Sequence, residues 1–213
     1  MIEFLIVRHG HSVANEKGIF AGATDVPLSE TGMKQAELVS NFILENYSID
    51  AIYSSELSRA KDTVKKVSEK LNLPIITNPA FNEIYGGKWE NVTFEEIYKK
   101  YPEDLLRWRN DIANSKCTEG ESFSALRKRT INGLNSLAEK HEGERVIIAT
   151  HAGATKAMLC TILNLTNEEC ANFDWVSNAS ITTVTYNNKT FTVKQFSYDE
   201  YLSSLKTSLP NNI

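Results

Sequence analysis

The sequence predicts an α/β fold, in which a mostly parallel central sheet lies between two layers of helices in a three-layer α/β/α arrangement. Two short apolar runs, residues 2–7 and 145–150, have the near-continuous hydrophobicity of strands that are buried on both faces. Helical patterns, with apolar residues three and four apart, lie over residues 29–47, about 56–71 and 121–141. This alternation of strands and helices is typical of parallel strand–helix–strand units.

Local signals place the remaining elements and the helix caps. Ser29 or Thr31 is expected to cap the helix over 29–47, and Ser54 or Ser55 is expected to cap the helix after it. Two short strands are predicted, at 50–53 and at 74–77. Two further helices are predicted, one at 154–163 and one that begins at Thr166, with Glu169 completing a capping box.

Residues 85–120 differ from the rest of the chain and predict a small, mainly helical insertion over the sheet edge. The stretch is polar and carries two tryptophans. It has a capping-box pattern at Thr93 and a proline, Pro102, that is suited to open a second short helix. Because the chain shows no repeat and no interdomain linker, we expect a single domain over residues 1–200 and a loose C-terminal tail over 201–213.

Two alternating segments near the end of the chain predict a β-hairpin. Residues 180–186 and 190–196 have a period of two and flank Asn187 and Asn188, which suit a tight turn. A hairpin at the end of the sheet would offer an edge strand to a partner. We therefore expect that two copies of the chain could pair as a homodimer.

The composition limits the classes of function. The chain has 213 residues, 41% of them hydrophobic, and a formal net charge of −4. This balance disfavours nucleic-acid binding and leaves any anionic substrate to a few well-placed cations. The three cysteines are scattered without metal-binding or disulfide spacing, which fits a reducing, cytoplasmic setting. No apolar run approaches the ~18 residues of a membrane span, and the first residues do not resemble a signal peptide.

Two of the four histidines directly follow the two buried strands. His9 comes after the run at 2–7, and His151 comes after the run at 145–150. Ligands of open α/β sheets bind at the carboxyl ends of the strands, so we expect both histidines at one functional rim. Arg59, in the first turn of a helix that follows another predicted strand, is expected at the same rim.

These residue types suit the transfer of a phosphoryl group. Arg8 and Arg59 can each give planar, charge-assisted hydrogen bonds to phosphate oxygens. A neutral His9 imidazole can attack phosphorus, and His151 can donate to the phosphoryl oxygens as their charge shifts. The leaving alkoxide needs a proton, and Glu83, where a strand-like stretch enters a loop, is our candidate acid among 27 acidic residues.

Two other classes of function remain open on these residues. His9 and His11 are spaced as two metal ligands on one face of a strand, as a metallohydrolase would need, although no third ligand is evident and Arg8 would repel the metal. A non-catalytic module would bind phosphate without turnover. Activity that survives EDTA would argue against the first class. Loss of turnover in His9→Ala, with vanadate binding retained, would argue against the second.

Six segments, in order and over nearly the whole chain, resemble motifs of the histidine phosphatase superfamily in its phosphoglycerate-mutase-like branch. The first is Arg8-His9-Gly10, with Asn15 where that motif ends in Asn. The other five segments are residues 21–32, 53–63, 83–90, 120–122 and 150–153. Arg-His-Gly alone would be weak evidence, whereas six motifs in register are not explained by chance.

The resemblance implies both a reaction and a set of residue roles. It implies a phosphomonoesterase that uses neither a cofactor nor a metal and acts on a small phosphorylated substrate. His9 would become phosphohistidine, and Glu83 would be the general acid and later the base for water. The residues that would hold the phosphoryl group are Arg8, Arg59, His151, Asn15 and the backbone near Gly22.

The departures from the family pattern concern the substrate rather than the phosphoryl chemistry. His11 stands where the family often has Glu, and Ala21 precedes Gly22 where a polar residue is usual. Trp108 is followed by Arg109 and Asn110, so the Trp-Arg-Arg stretch of the mutases is incomplete, and their proline-rich piece is absent. The sequence therefore favours a phosphatase. There are two alternatives. One is a cofactor-dependent phosphoglycerate mutase, because residues 85–87 resemble the loop of that enzyme. The other is an α-ribazole phosphatase.

Two groups of side chains could recognise the rest of the substrate. Lys88, Arg107 and Arg109 in the insertion could bind a second anionic group, or could simply form a solvated basic face. Aromatic residues could line the pocket instead, although large aromatics more often belong to the core. These aromatic residues are Tyr85, Trp89, Trp108, Phe123 and Trp175.

Overall fold

The computed structural model describes residues 1–207 of the chain. The strands are β1 (Ile2–Arg8), β2 (Ile19–Phe20), β3 (Ala51–Ser54), β4 (Ile75–Thr77), β5 (Val92–Thr93), β6 (Arg145–Thr150), β7 (Ile181–Asn187) and β8 (Thr190–Tyr198). The α-helices are α1 (Val13–Glu16), α2 (Glu30–Asn46), α3 (Ser58–Leu71), α4 (Phe94–Lys100), α5 (Pro102–Asn110), α6 (Phe123–Lys140), α7 (Ala152–Ile162) and α8 (Asn167–Asn172).

Six of the strands form one mostly parallel sheet, with the strand order β4-β3-β6-β1-β7-β8. The strands β4, β3, β6 and β1 pair in parallel, and β7 and β8 are antiparallel additions. The two remaining strands, β2 and β5, form a separate antiparallel pair that joins the loop after β1 to the insertion. The predicted α/β class with a mostly parallel sheet is therefore confirmed.

Alternation along the central strands divides the core into two layers, because successive side chains of a strand point to opposite faces. In β1, Phe4 and Ile6 pack on one face with residues of α6 and α7. Leu5 and Val7 pack on the other face with residues of α2 and α3. Both faces of the sheet are covered by helices, which explains why the run at 2–7 is apolar apart from Glu3.

The helix caps are partly as predicted. The Ser29 side chain accepts a hydrogen bond from the backbone N–H of Gly32 and caps α2, so Thr31 is not the cap. Both capping boxes, one led by Thr93 and the other by Thr166, are confirmed. The prediction of a serine cap for α3 is wrong: α3 begins at Ser58, with Leu57 at the cap position and no side-chain cap hydrogen bond.

The C-terminal part of the described chain is packed rather than loose. The hairpin of β7 and β8 is confirmed, with its turn one residue later than expected, at Asn188 and Lys189. Helical turns over Glu200–Leu205 then fold back on the sheet. There Leu202 is buried, and the Tyr201 hydroxyl donates to the carbonyl of Ala179 at 2.5 Å. The expected loose tail is thus wrong for residues 201–207, and its remainder, 208–213, lies outside the described residues.

The insertion builds a third core region beside the sheet. Its buried residues, among them Trp89, Ile97 and Leu105, pack with Phe123 of α6 and Ala157 of α7. The three cysteines are free and buried. Within residues 1–207, no helix is both long and apolar enough to cross a membrane.

Candidate active site

The parallel pairing of β1 with β6 brings His9 and His151 to the same edge of the sheet. Arg8 is aligned with Thr150 at the ends of the two strands, and the His9 backbone N–H donates to the Thr150 carbonyl at 2.9 Å. The two imidazole rings that follow lie with their centroids 5.1 Å apart. The predicted meeting of both histidines at the carboxyl ends of the strands is therefore what the structure has.

The hydrogen bond of His9 fixes which ring nitrogen is free to react. Nδ1 of His9 lies 2.7 Å from the carbonyl oxygen of Gly10. Because a carbonyl only accepts, Nδ1 carries the proton, and Nε2 keeps its lone pair. Burial, followed by the charges of Arg59 and Arg8, holds the pKa of His9 well below 6.5. The ring is therefore a neutral imidazole at neutral pH, which is the form that a nucleophile requires.

His151 is oriented by Ser55, which the sequence had suggested only as a helix cap. Nε2 of His151 lies 2.7 Å from Ser55 Oγ, and this oxygen also accepts from the Leu57 backbone N–H at 3.1 Å. The Ser55 hydroxyl can donate to Nε2, and in that tautomer the imidazole proton is on Nδ1. In the described part of the chain, this buried Nδ1 has no hydrogen-bond partner. It is the donor that a phosphoryl oxygen beside His9 would use.

Two buried arginines supply the positive charge of the site. Arg8 is 2% exposed and donates from Nη1 to the Val176 carbonyl, and its Nε has no hydrogen-bond partner among residues 1–207. Arg59 is 1% exposed and donates to the carbonyls of Thr24 and Gly22, each at 2.8 Å. Burial lowers the pKa of both guanidinium groups to about 10, so both remain charged at neutral pH.

Glu83 reaches the site from the loop after β4. Its carboxylate accepts hydrogen bonds from the backbone N–H groups of Ile84, at 2.8 Å, and Gly153, at 3.0 Å. A β-carbon at position 153 would lie only 2.4 Å from Oε1 of Glu83. With any other residue at the last position of the Thr-His-Ala-Gly motif, the Glu83 carboxylate would have to move from this place.

The backbone of the Glu83 loop is held by an arginine that the sequence did not single out. Arg129 of α6 forms a two-pronged ion pair with Glu121, at 2.7 and 2.9 Å. The same guanidinium donates to the carbonyls of Ala80, Asn82 and Glu83, at 3.0, 2.7 and 2.9 Å. Glu121 lies in the Gly-Glu-Ser segment of the sequence, so that motif had signalled one half of this pair.

The remaining predicted donors, Asn15 and Gly22, line the same cavity. Oδ1 of Asn15 accepts from the N–H and hydroxyl of Ser12, each at 3.0 Å, and from Asn178 at 3.3 Å. Since the oxygen of this amide is occupied, its NH₂ group is the part left for a ligand. Gly22 has a φ of +52°, a left-handed conformation that favours glycine, and its carbonyl holds Arg59.

These side chains surround a cavity of about 160 Å³. Of the seven predicted site residues, six line it: Arg8, His9, Asn15, Gly22, Arg59 and Glu83. His151 has no exposed surface and is not among the lining residues. Its imidazole ring packs beside that of His9, which does line the cavity. Asn178, which donates to the carbonyl of His9 at 3.1 Å, also lines the cavity, and no motif had pointed to it.

His11 lines the cavity as well, and its ring contacts Ser29. Its Nδ1 lies 3.0 Å from Ser29 Oγ, while Nδ1 of His9 is bound to Gly10. Over residues 1–207, no group of three or more His, Cys, Asp or Glu side chains is arranged to hold a metal ion. The structure therefore offers His11 as part of the cavity mouth.

The insertion contributes aromatic rather than basic groups to the cavity. Trp108 of the insertion lines it, as does Trp175 from the segment after α8, so two of the five aromatic residues named from the sequence are at the cavity. Trp89 and Phe123 belong to the core, and Tyr85 is 54% exposed. The basic residues considered for a second anion, Lys88, Arg107 and Arg109, are not among the lining residues.

Comparison with known proteins identifies the family to which this chain belongs. The family model of the histidine phosphatase superfamily (branch 1) matches residues 4–199. Phosphoserine phosphatase 1 of Hydrogenobacter thermophilus is 33% identical over 165 residues, which is 78% of this chain and 78% of that protein. A metal-independent phosphoserine phosphatase of Arabidopsis thaliana is 31% identical over 207 residues, 95% of this chain and 84% of that protein.

The solved structure of YhfR from Bacillus stearothermophilus is similar over the whole fold. It has 25% sequence identity and a TM-score of 0.90, with 95% of this chain and 100% of that chain covered. The family match, the relatives and the geometry at the ends of β1 and β6 agree. The chain therefore belongs to the histidine phosphatase superfamily and is a phosphatase.

Proposed function

We propose that this phosphatase hydrolyses phosphomonoesters without a metal ion, through a phosphohistidine formed on Nε2 of His9. The observation that carries the proposal is the hydrogen bond from Nδ1 of His9 to Gly10, at 2.7 Å. It leaves the lone pair of Nε2 free in a cavity that Arg8, Arg59 and Glu83 also line. Nucleophile, positive charge and acid are thus in one place.

In the first step, Nε2 of His9 attacks phosphorus and the bond from phosphorus to the ester oxygen breaks. The protonated carboxyl of Glu83 gives its proton to the leaving oxygen, so that an alcohol departs. Arg8 and Arg59 compensate the charge of the transferring group, and Nδ1 of His151 adds a donor. The guanidinium groups are already buried and oriented, so little reorganisation is needed during transfer.

In the second step, the carboxylate of Glu83 takes a proton from water. The water oxygen attacks phosphorus, the bond to Nε2 of His9 breaks, and inorganic phosphate leaves. The two backbone N–H groups that hold the Glu83 carboxylate, those of Ile84 and Gly153, keep it at the cavity in both steps. One carboxyl group thus serves as acid and then as base.

A hydrolase is favoured over a mutase because the cavity does not present the basic residues of the insertion. A mutase must hold its substrate while the phosphoryl group returns to it, and a phosphoglycerate carries a carboxylate as well. Lys88 instead pairs with Glu119 at 3.5 Å, outside the cavity lining. The matched phosphoserine phosphatases, one of them named as metal-independent, support hydrolysis without metal.

The test is phosphate release from simple phosphomonoesters in the presence of EDTA. Wild-type protein should release phosphate in a sustained way, and His9→Gln should lower kcat by at least about 10⁴-fold, because a unit that forms the covalent intermediate is lost. His141→Gln is the matched control, since His141 pairs with Tyr53 and Glu144 away from the cavity. Loss of activity in EDTA, or negligible release with interconversion of 3- and 2-phosphoglycerate, would overturn the proposal.

A further inference from the structure

The cavity has two sides of different chemistry. The charged side carries Arg8, His9, Arg59 and Glu83. The other side is formed by four aromatic residues from separate segments, here called the aromatic wall: Phe20, Phe94, Trp108 and Trp175. Ile19 lies beside them in the cavity lining. No motif of the sequence had identified Phe20 or Phe94 as part of the site.

The aromatic wall is held in place by its own packing. Phe20 contacts Phe94 edge to face, with ring centroids 6.0 Å apart, and contacts Trp89 in the same way at 5.7 Å. Trp89 in turn contacts Trp108 at 5.7 Å. Edge-to-face pairs at these distances are favourable beyond the area they bury. The pairing of β2 with β5 ties the segments together, since Phe20 is aligned with Val92 just before Phe94.

A buried lysine, Lys156, holds the ring of Trp175 in place. Nζ of Lys156, on α7, lies 4.3 Å from the centre of the Trp175 ring and donates to the Phe173 carbonyl at 2.6 Å. Lys156 is 2% exposed. A cation over an aromatic face in a dry site is strongly favourable, so this tryptophan is not free to swing away. The wall is therefore a preformed surface.

The cavity offers little to a second anionic group. Among the described residues that line it, the lysines and arginines are Arg8 and Arg59 alone. The carbonyls of Thr24 and Gly22 hold Arg59 and the Val176 carbonyl holds Arg8, and the proposed function assigns their remaining N–H groups to the phosphoryl group. Burial lowers the pKa values of His9 and His11, the other basic side chains of the lining, so both are mostly neutral near pH 7. A carboxylate on the substrate would have to compete with the phosphoryl group for the same two guanidinium groups.

We propose that the alcohol part of the natural substrate is an apolar group that contains a ring and packs on the aromatic wall, rather than a small acid. This inference rests on the proposed function and names the substrate class of the same site. An apolar ring placed here gains the free energy of leaving water and the contact with fixed aromatic faces. A short acidic alcohol gains neither and brings a charge that the lining does not neutralise.

The test compares three alkyl phosphates of similar intrinsic reactivity: benzyl phosphate, ethyl phosphate and phosphoserine. We expect kcat/KM for benzyl phosphate to exceed that for each of the other two by about tenfold to a hundredfold, as expected for the burial of one ring. Phe94→Ala and Trp175→Leu should each lower the ratio of kcat/KM for benzyl phosphate to kcat/KM for ethyl phosphate. Tyr98→Ala is the matched control, because Tyr98 lies on the same helix as Phe94 but is 60% exposed.

The outcomes separate this inference from the proposed function. If phosphoserine or ethyl phosphate is hydrolysed as efficiently as benzyl phosphate, or if the two wall variants leave the preference unchanged, the substrate class is wrong and the mechanism stands. If none of the three esters is hydrolysed, or if His9→Gln retains full activity, the proposed function itself fails.

Discussion

The two sides of the cavity are built in different ways. The charged side lies where parallel strands end, and its groups are held by hydrogen bonds with the backbone. His9 donates to the Gly10 carbonyl, and Glu83 accepts from two backbone N–H groups. The aromatic wall comes mainly from loops and the insertion and is held by ring packing and one buried lysine. A substitution on the charged side should slow the hydrolysis of every substrate. A substitution in the aromatic wall should instead change the order in which substrates are preferred.

The largest effect in this comparison is expected from Arg59→Met, on the charged side. Removing a buried donor that faces developing charge should lower kcat/KM by about 10²- to 10³-fold on every ester tested. Arg59 is also a cause of the low pKa of His9, so its loss should raise that pKa and move the acidic limb of the pH profile to higher pH. Phosphate release measured between about pH 4.5 and 8 checks both effects.

An equal loss on benzyl and ethyl phosphate would support the separation of the two sides. A loss confined to one ester, or an acidic limb that does not move or moves to lower pH, would contradict it. Because Arg59 also holds the carbonyls of Thr24 and Gly22, the thermal stability of the variant is measured alongside.

A smaller effect is expected from Arg129→Met, which acts through the position of Glu83. Loss of the guanidinium frees the carbonyls of Ala80, Asn82 and Glu83 and the Glu121 carboxylate. We expect kcat to fall about tenfold or more on all esters while KM changes less, because a small displacement of an acid is costly to the chemical step. Steady-state kinetics measures this split.

The control for this variant is Arg127→Met on the same helix, whose guanidinium contacts Thr161 and Cys160 rather than the Glu83 loop. Arg129→Lys should recover only part of the activity, since an ammonium cannot serve Glu121 and the three carbonyls at once. If Arg127→Met and Arg129→Met lose the same fraction of kcat, the positioning role is refuted.

The smallest effect concerns stability on the charged side. The pKa values of His9 and His151 are held well below 6.5 in the folded protein, so the unfolded chain binds protons first as the pH falls. The free energy of unfolding should therefore be fully retained above pH 6.5 and should fall below it, by about 1.4 kcal/mol per pH unit for each histidine. Urea unfolding at several pH values measures this slope.

The variant His9→Gln isolates the contribution of one histidine. It should reduce the slope of the unfolding free energy below pH 6.5 relative to wild type, because one of the two depressed groups is gone. An unchanged slope would mean that carboxylates elsewhere, rather than these histidines, govern stability in that range.

The sequence predicted the charged side better than the aromatic wall, for a physical reason. His9 and His151 end apolar runs whose burial on both faces can be read from composition, and parallel pairing then brings strand ends together. Glu83 was identified chiefly through the family resemblance, since nothing in its local pattern distinguishes it from other acids.

The wall could not be read in the same way. Phe20 and Phe94 meet because β2 pairs with β5, which are two-residue strands without a detectable pattern. Trp89 and Trp108 are alike in the sequence and both belong to the core of the insertion, yet of the two only Trp108 also lines the cavity. The roles of Ser55 and Asn178 likewise arise from contacts between distant segments, which no local spacing encodes.

The most direct test of the central claim is the stereochemistry of hydrolysis. A phosphorothioate monoester made chiral at phosphorus by sulfur, oxygen-17 and oxygen-18 is hydrolysed in ordinary water, and the configuration of the released thiophosphate is determined. Attack by Nε2 of His9 and then by water is two in-line displacements, so we predict net retention of configuration, whether or not the phosphohistidine accumulates. Net inversion would show that water attacks the ester directly, and would contradict the assignment of His9 as the nucleophile.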